Sequence, residues 1–350
     1  MKRKLRELLV AADLDGDLTR EIRDDGFLIL ENYGAIPPAV RRSGYYVWNR
    51  GFNVLLLGRD DTPRYFCKCR PIADANLERE TSVLHALNHD PELRSVVPRT
   101  RGARDGEVQL QLSEFMPGRP YEYTLPGMTE RAWVESMAQI LGVARTVSTR
   151  AAHLLPGLLT EPAPVVLRVA AADALTELGA AGVAEDVLQR LDRGLARAGS
   201  VPPVLQHGDL WPANVLWHEG SWRLLDFEIF GIVQIPLYDV CHFVRNCWSL
   251  REPHAAAAAT WVARLASDAR DADLCRRAIL REARNLGLEP AQAAGVLAYY
   301  VVDLTAQLIR RGTPRVAWDP LVREVRAAAD LLHGGATLHD AVFGRASVPA

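Results

Sequence analysis

Hydrophobic and polar positions alternate in short runs over the first third of the chain. Apolar positions at helical spacing predict a short amphipathic helix within the first dozen residues, and the apolar run 27–30 predicts a strand. The segment 44–69 alternates and turns, which predicts a β-hairpin followed by a third strand. Its turn Asn49-Arg50-Gly51 is of a kind that exposes backbone N–H groups to an anion.

Lys68 lies in the most apolar part of this third strand, within the run 65–69. One interpretation is an edge lysine whose ammonium reaches water along its apolar stem. The other is a lysine that points into a cleft and binds phosphate as a point charge. A helical pattern follows, in which Glu80 shares the apolar face with Leu84 and Leu87. An inward glutamate requires a cationic partner, and Lys68 is the predicted one.

A change from strand to helix patterns divides the chain. The alternating run 108–112 predicts one more strand, which ends where Pro117 and Gly118 break the pattern. Helices are predicted over 129–151, 164–198, 236–248, 253–285, 290–311 and 320–332, several of them beginning near a proline. We therefore predict an α+β fold with a small β-rich N-terminal lobe at 1–117 and a larger, mainly helical C-terminal lobe at 118–350.

The segment 204–226, VLQHGDLWPANVLWHEGSWRLLD, interrupts the helical series with short strands and tight polar loops. This arrangement predicts that Asp209, Asn214 and Asp226 come close together at one sheet edge. Their side chains offer oxygen ligands, which a hard cation such as Mg²⁺ uses together with substrate phosphates. The segment therefore predicts a Mg²⁺-dependent phosphoryl-transfer site.

Two other interpretations of this segment carry less weight. Asp209 follows a glycine, so it could be a turn residue only; the matching positions of Asn214 and Asp226 argue against that. His207 and Asp209 could be zinc ligands, but no further His or Cys stands at ligand spacing nearby.

Composition narrows the class of protein. The 350 residues are 49% hydrophobic and 24% charged, as in ordinary globular proteins. The formal net charge of -2 gives no reason to expect nucleic acid or an anionic membrane as a partner. Five cysteines without a C-x-x-C pair suit a reducing compartment. The chain starts with basic residues, but the apolar run after them is interrupted by Asp13 and Asp15, unlike a signal peptide, and no apolar run is long enough to span a bilayer. We expect a soluble, cytoplasmic protein.

Several features follow one another in a specific order: the turn-bearing hairpin, Lys68, Glu80, the hinge Glu114-Phe115-Met116-Pro117-Gly118, His207-Gly208-Asp209-x4-Asn214, and Asp226-Phe227-Glu228. This order resembles the aminoglycoside phosphotransferase / choline kinase family, which is related to the protein kinases. The resemblance runs from about Tyr45 to Asp239. It implies a two-lobed protein-kinase-like fold, ATP or GTP as phosphate donor, and Mg²⁺.

The resemblance also implies a role for each matching residue. Asp209 would be catalytic, accepting the proton of the attacking hydroxyl or orienting it, and His207 would be structural. Asn214 and Asp226 would hold Mg²⁺ on the nucleotide phosphates. Glu228 is either a further residue at the metal or the partner of a neighbouring arginine.

On the nucleotide side, Lys68 would contact the α- and β-phosphates and be held in place by Glu80. The turn from Asn49 to Asn53 would cover the phosphates, although the sequence after Gly51 lacks the second glycine of the best-known members. Backbone groups at the hinge can read a purine edge. The predicted nucleotide contacts are therefore Lys68, Glu80, Asn49, Gly51, Asn53, Glu114 and Met116.

The predicted function is transfer of the γ-phosphate of ATP or GTP to a hydroxyl of a small molecule. An antibiotic or other natural product, a sugar, a nucleoside and an amino alcohol all remain open as acceptors. Residues 231–350 hold 12 Asp/Glu and 14 Lys/Arg, so this region is not the overtly acidic surface that a polycationic aminoglycoside favours. The alternative is an inert kinase-like nucleotide-binding protein, which predicts the loss of Lys68, Asp209, Asn214 or Asp226. All four are present.

Overall fold

The structure is a computed structural model, and it describes residues 22–30, 52–71, 74–106, 108–159, 163–253, 260–312 and 315–333. Its contacts divide the chain into two compact units. The first comprises Met1–Arg119, His153–Pro156 and Leu216–Phe230, and the second comprises Pro120–Ala152, Gly157–Val215 and Gly231–Ala350. A division at 117/118 would put all of 204–226 in one lobe, whereas here its last part belongs to the first unit.

The first unit contains a five-stranded antiparallel sheet in the order β1-β2-β3-β5-β4. Its strands are β1 (Ile22–Leu30), β2 (Phe52–Gly58), β3 (Pro63–Pro71), β4 (Thr100–Asp105) and β5 (Val108–Glu114). Four of these confirm predicted strands. Strand β4 was not predicted, because its residues, TRGARD, show no apolar alternation. The predicted N-terminal helix and the turn Asn49-Arg50-Gly51 lie outside the described residues.

Cross-strand register explains the two kinds of face on this sheet. Val54, Cys67 and Leu112 are opposite one another on β2, β3 and β5, and all three are fully buried. Successive side chains of a strand point to opposite faces. The next row along the strands therefore points to the other face of the sheet. It consists of Lys68 on β3 and its partners Asn53 on β2 and Gln111 on β5.

Helix α1 (Ala75–Leu87) packs against β4 and β5. Its N-cap residue is Asp74, whose side chain accepts hydrogen bonds from the backbone N–H groups of Asn76 and Leu77. Glu80 is buried with the apolar residues of the helix, as its spacing predicted.

Short strands and a series of helices make up the rest. The strands are β6 (Arg119–Pro120), β7 (Val165–Val166), β8 (Ser200–Val201), β9 (Val215–His218) and β10 (Ser221–Leu224), and they form a β10-β9-β6 sheet and a β7-β8 pair. The helices are α2 (Tyr121–Thr124), α3 (Glu130–Leu154), α4 (Leu167–Ala170), α5 (Ala172–Ala180), α6 (Glu185–Ala198), α7 (Tyr238–Arg251), α8 (Trp261–Leu265), α9 (Arg270–Asn285), α10 (Pro290–Arg310) and α11 (Arg315–His333).

Proline predicted some helix starts correctly and others wrongly. Helix α10 begins at Pro290 as predicted, behind a capping box formed by Glu289 and Gln292. The predicted helix 253–285 is instead α8 and α9, with 254–259 outside the described part. The start predicted at 320 is wrong, because α11 begins at Arg315 and includes Pro320. Pro320 lies inside the helix, where it lacks the N–H that would bond to the carbonyl of Val316, and the helix continues past this one missing hydrogen bond.

All five cysteines are buried free thiols. Cys67 and Cys69 belong to the first unit, and Cys241, Cys247 and Cys275 to the second. Within the described part of the chain, every helix is too short or too polar to cross a lipid bilayer.

Candidate active site

An ion cluster around Lys68 brings together three of the predicted site residues, all in the first unit. The Nζ atom of Lys68 lies 3.0 and 2.9 Å from the two carboxylate oxygens of Glu80 and 2.7 Å from Oδ1 of Asp226. Burial disfavours the ammonium, but these two carboxylates outweigh it and raise the pKa of Lys68. The side chain is only 10% exposed, so the interpretation as an edge lysine is wrong.

Glu80 connects three segments of the first unit. Besides Lys68 on β3, its Oε1 atom accepts a hydrogen bond of 3.2 Å from the backbone N–H of Phe227, the residue after Asp226. Burial raises the pKa of Glu80, and the ammonium of Lys68 opposes that rise. Removing Lys68 would therefore leave a buried carboxylate without its main counter-charge.

Asp226 is the solvent-exposed member of this cluster. Its side chain is 41% exposed, whereas that of Glu80 is 2% exposed. Its φ of 63° lies in the left-handed region, which residues other than glycine seldom adopt and which occurs often at functional sites. The backbone therefore presents one accessible carboxylate beside a buried ammonium.

Glu228 has an arginine neighbour that the sequence did not reveal. The guanidinium of Arg79 on α1 donates a hydrogen bond to the main-chain oxygen of Glu228. Burial lowers the pKa of Arg79, and the carboxylates of Glu228 and Glu80 oppose that effect. Arg79 thus lies close to the acidic groups of the cluster.

Of the three contacts predicted between Asn49 and Asn53, the structure describes Asn53. Asn49 and Gly51 lie outside the described residues. Asn53 lies on β2, which begins at Phe52, and its contact with the nucleotide stays a prediction. There Asn53 is opposite Lys68, and its side-chain oxygen accepts a hydrogen bond of 3.0 Å from Arg70.

The predicted hinge follows β5 in the first unit. Glu114 is the exposed last residue of that strand, and Met116 is half-buried just after it. Two backbone hydrogen bonds of 2.8 Å hold this segment in place. The N–H of Glu114 donates to the carbonyl of Arg99, and the N–H of Phe115 donates to the carbonyl of Arg64.

In the second unit, a buried carboxylate shapes the loop that carries Asp209. The backbone N–H groups of His207 and Gly208 donate to Asp239 at 2.6 and 2.8 Å. Gly208 has a φ of 84°, a conformation that favours glycine. Burial raises the pKa of Asp239, and the two N–H groups and His207 oppose that rise. Asp239 does not cap its own helix α7, because Leu237 is the cap residue and the Asp239 carboxylate accepts from the loop instead.

Side-chain nitrogen atoms approach both oxygens of the Asp209 carboxylate. The Nδ2 atom of Asn214 donates to Oδ2 at 3.2 Å and to the main-chain oxygen of Asp209 at 3.0 Å. The Nε2 atom of His242 lies 3.4 Å from Oδ1. The nearby His242 ring is the main cause of a lowered pKa of Asp209, and burial opposes it. The Asp209 side chain is 45% exposed, so an ionised carboxylate is accessible here.

His242 was not predicted as a site residue. It stands three residues after Asp239, so both side chains lie on one face of α7. That spacing is the signal by which the sequence could have revealed it.

The oxygen donors fit Mg²⁺ better than a metal held by a full protein cage. Among the described residues there is no group of three or more His, Cys, Asp or Glu side chains that could hold a metal. Mg²⁺ usually binds one or two carboxylates and takes its other ligands from water and phosphate. The exposed carboxylate of Asp226 suits that role.

The sequence matches the model of the phosphotransferase enzyme family over residues 49–279, which is 231 of the 350 residues. The comparison with curated proteins found no match.

Solved structures similar to the chain include the choline kinase of Cryptosporidium parvum Iowa II. Its TM-score is 0.56 at 10% identity, covering 93% of this chain and 95% of that one. Another is APH(2")-IIa in a ternary complex with streptomycin and ATP, with a TM-score of 0.53 at 12% identity and a coverage of 95% and 98%. At such identities the likeness concerns the fold alone, and it confirms the predicted protein-kinase-like fold class. Since the family model spans about two thirds of the sequence, the chain belongs to the phosphotransferase enzyme family.

Proposed function

We propose that this protein is a Mg²⁺-dependent kinase that transfers the γ-phosphate of ATP or GTP to a hydroxyl of a small molecule. The observation that carries the proposal is the cluster of Lys68, Glu80 and Asp226. It combines a fixed, buried ammonium with one accessible carboxylate. Phosphoryl transfer requires such positioning and charge neutralisation more than covalent help from the protein.

Each residue of the first unit has a distinct task in this proposal. Lys68 binds the nucleotide phosphates as a point charge, and Glu80 holds it in place. Asp226, with Glu228 as a further candidate, holds Mg²⁺, which neutralises charge on the phosphates. Asn49, Gly51, Glu114 and Met116 remain predicted contacts to the nucleotide.

In the second unit, Asp209 orients the acceptor hydroxyl and receives its proton. The lowered pKa of Asp209 keeps the carboxylate ionised, as a proton acceptor must be. Asn214 donates to Asp209 through its amide nitrogen, which leaves its amide oxygen for a cation.

The acceptor belongs to the class of small hydroxyl compounds, namely natural products including antibiotics, sugars, nucleosides and amino alcohols. Tyr238, Tyr300 and Trp261 are each at most 2% exposed. They are core residues, so they do not form an aromatic box for a quaternary amine. Because five buried free thiols suit a reducing compartment, we place the enzyme in the cytoplasm.

The proposal is tested by measuring nucleotide consumption with Mg²⁺ over a panel of hydroxyl compounds, with Asp209→Ala beside the wild type. We expect one acceptor class to be consumed. We also expect Asp209→Ala to lower kcat by about 10²–10⁴-fold, the range for the loss of a general base, while nucleotide affinity is retained. Circular dichroism checks that the variant folds.

Equal transfer rates in the wild type and Asp209→Ala would remove Asp209 from the mechanism. If no acceptor and no Mg²⁺-dependent nucleotide binding are found, the inert kinase-like protein becomes the better interpretation.

A further inference from the structure

His242 lies behind the carboxylate of Asp209. Its Nε2 atom is 3.4 Å from Oδ1, and its side chain is 12% exposed against 45% for Asp209. An acceptor can therefore approach Asp209 from solvent while the imidazole remains covered. The contact is longer than an ordinary N–H···O hydrogen bond. Within the described part of the chain, the buried Nε2 atom has no hydrogen-bond partner of good geometry.

The other ring nitrogen of His242 faces Tyr300 on α10. The Nδ1 atom is 3.2 Å from the phenolic oxygen, and the two rings meet edge to face with centroids 5.9 Å apart. Tyr300 is fully buried, so its hydroxyl depends on protein partners. Burial raises the pKa of the Tyr300 phenol, and the nearby guanidinium of Arg245 opposes that rise.

The chemistry of these groups assigns the direction of each hydrogen bond. A guanidinium carries a positive charge and donors but no acceptor, so the Tyr300 hydroxyl favours pointing its oxygen, and not its proton, toward Arg245. The single phenolic proton is then free to be donated to Nδ1 of His242. A neutral imidazole that accepts at Nδ1 carries its proton on Nε2. That N–H faces Oδ1 of Asp209.

We propose that His242 is a positioning residue, which holds the Asp209 carboxylate in its reactive orientation with an Nε2–H tautomer set by Tyr300 and Arg245. Together with the Asn214 amide on Oδ2, it places a donor at each carboxylate oxygen. Catalytic hydrogen bonds are often long before substrate binds and shorten in the complex, which accounts for the 3.4 Å separation. This inference rests on the proposed role of Asp209.

The tautomer can be measured without an acceptor. Long-range ¹H–¹⁵N spectra of protein labelled with ¹⁵N-histidine distinguish the two neutral tautomers, and among the nine histidines the signal of His242 is the one that disappears in His242→Gln. We expect the Nε2–H form in the wild type. We expect Tyr300→Phe, which keeps the ring and removes the hydroxyl, to lose that preference. An Nδ1–H form in the wild type would overturn the assignment.

A matched pair of variants tests the effect on catalysis. The amide nitrogen of glutamine can occupy the place of Nε2, whereas that of asparagine reaches only the place of Nδ1. Kinetics are measured on the hydrolysis of Mg-ATP by water, which needs no identified acceptor. We expect His242→Asn to lower kcat about 100-fold, as a misplacement of 1 Å can. The KM for Mg-ATP should be unchanged, and His242→Gln should recover most of the rate.

An equal loss in both variants would show a purely structural role and overturn the proposal, as would wild-type rates in both. Asp209→Ala separates this failure from a failure of the proposed function. If Asp209→Ala loses activity and His242→Asn does not, only the inference about His242 is wrong. If neither variant loses activity, the role of Asp209 itself is wrong.

Discussion

At the scale of single residues, the ammonium of Lys68 is held by two carboxylates of very different exposure. The pairing with Glu80 could be predicted, because helical spacing placed that glutamate on the apolar face. The contacts with Asp226 could not be. Lys68 and Asp226 are 158 residues apart, and no local pattern encodes so distant a contact.

Replacing Lys68 tests how much this ammonium compensates the buried carboxylate. At neutral pH we expect Lys68→Met to lower the free energy of unfolding by about 3–5 kcal/mol, because removing one partner of a buried pair leaves an uncompensated charge. Urea unfolding followed by circular dichroism measures the change.

The loss of unfolding free energy in Lys68→Met should depend on pH in a defined direction. Without Lys68, burial raises the folded-state pKa of Glu80 further. Stability from a group with a raised pKa is fully present below its unfolded value, about 4.3, and is lost as pH rises through the folded value. The deficit of Lys68→Met should therefore be smaller under mildly acidic conditions than at neutral pH.

A double variant serves as the control. Lys68→Met with Glu80→Gln keeps an oxygen for the N–H of Phe227 and removes the buried charge, so it should be more stable than Lys68→Met at neutral pH and insensitive to pH in this range. A deficit of equal size at both pH values would contradict this account.

At the scale of elements, α7 supplies the Asp209 loop with a buried acceptor. Periodicity predicted the helix, but it does not indicate which N–H groups donate to the carboxylate of Asp239. A first-turn aspartate can accept from its own helix or from a neighbouring loop, and only the path of residues 206–208 decides between them.

Asp239→Asn replaces one accepting oxygen with an NH₂ group that faces a backbone N–H. We expect a loss of about 1–3 kcal/mol in unfolding free energy, the cost of an unsatisfied buried donor. Turnover should fall as well, while the affinity for nucleotide is unchanged. Asp271→Asn is the control, because it alters a partly buried acceptor for Trp248 and Arg264 in the same unit. If Asp271→Asn lowers turnover equally, the effect is not specific to the loop.

Two helical glycines make a second test at this scale. A Cβ on Gly295 of α10 would lie 2.4 Å from the Cβ of Ala198 at the end of α6, whereas a Cβ on Gly142 of α3 meets nothing within 4 Å. We expect Gly295→Ala to destabilise the protein by about 1–3 kcal/mol through overpacking. Gly142→Ala should stabilise it by about 0.5–1 kcal/mol through helix propensity. Thermal unfolding compares the two, and similar shifts would show that α6 and α10 can separate at little cost.

At the scale of the whole molecule, the change from strand to helix patterns along the sequence predicted the fold class. A few polar residues at characteristic spacings predicted the family. It did not predict that Leu216–Phe230 joins the first unit. The reason is physical: β9 and β10 carry only four residues each, and such short strands take their place from tertiary contacts.

Nucleotide binding by the intact chain should depend on Mg²⁺. A ligand at 100 times its Kd adds about 2.7 kcal/mol to the unfolding free energy, so Mg-ATP should raise the melting temperature clearly. We expect ATP with a chelator to give a smaller shift, and Asp226→Asn to lose the difference between the two conditions. A shift of the same size with and without Mg²⁺ would remove the cation from the proposed function.

The buried thiols have a practical consequence for following these events. Alkylation of a covered thiol requires a local or global opening of the fold, so its rate reports how often that part opens. Cys67 and Cys69 flank Lys68, and Cys241 precedes His242. Peptide mapping after timed alkylation would thus compare the opening of the strand beside Lys68 with that of the helix beside Asp209, in the unaltered chain and without any introduced label.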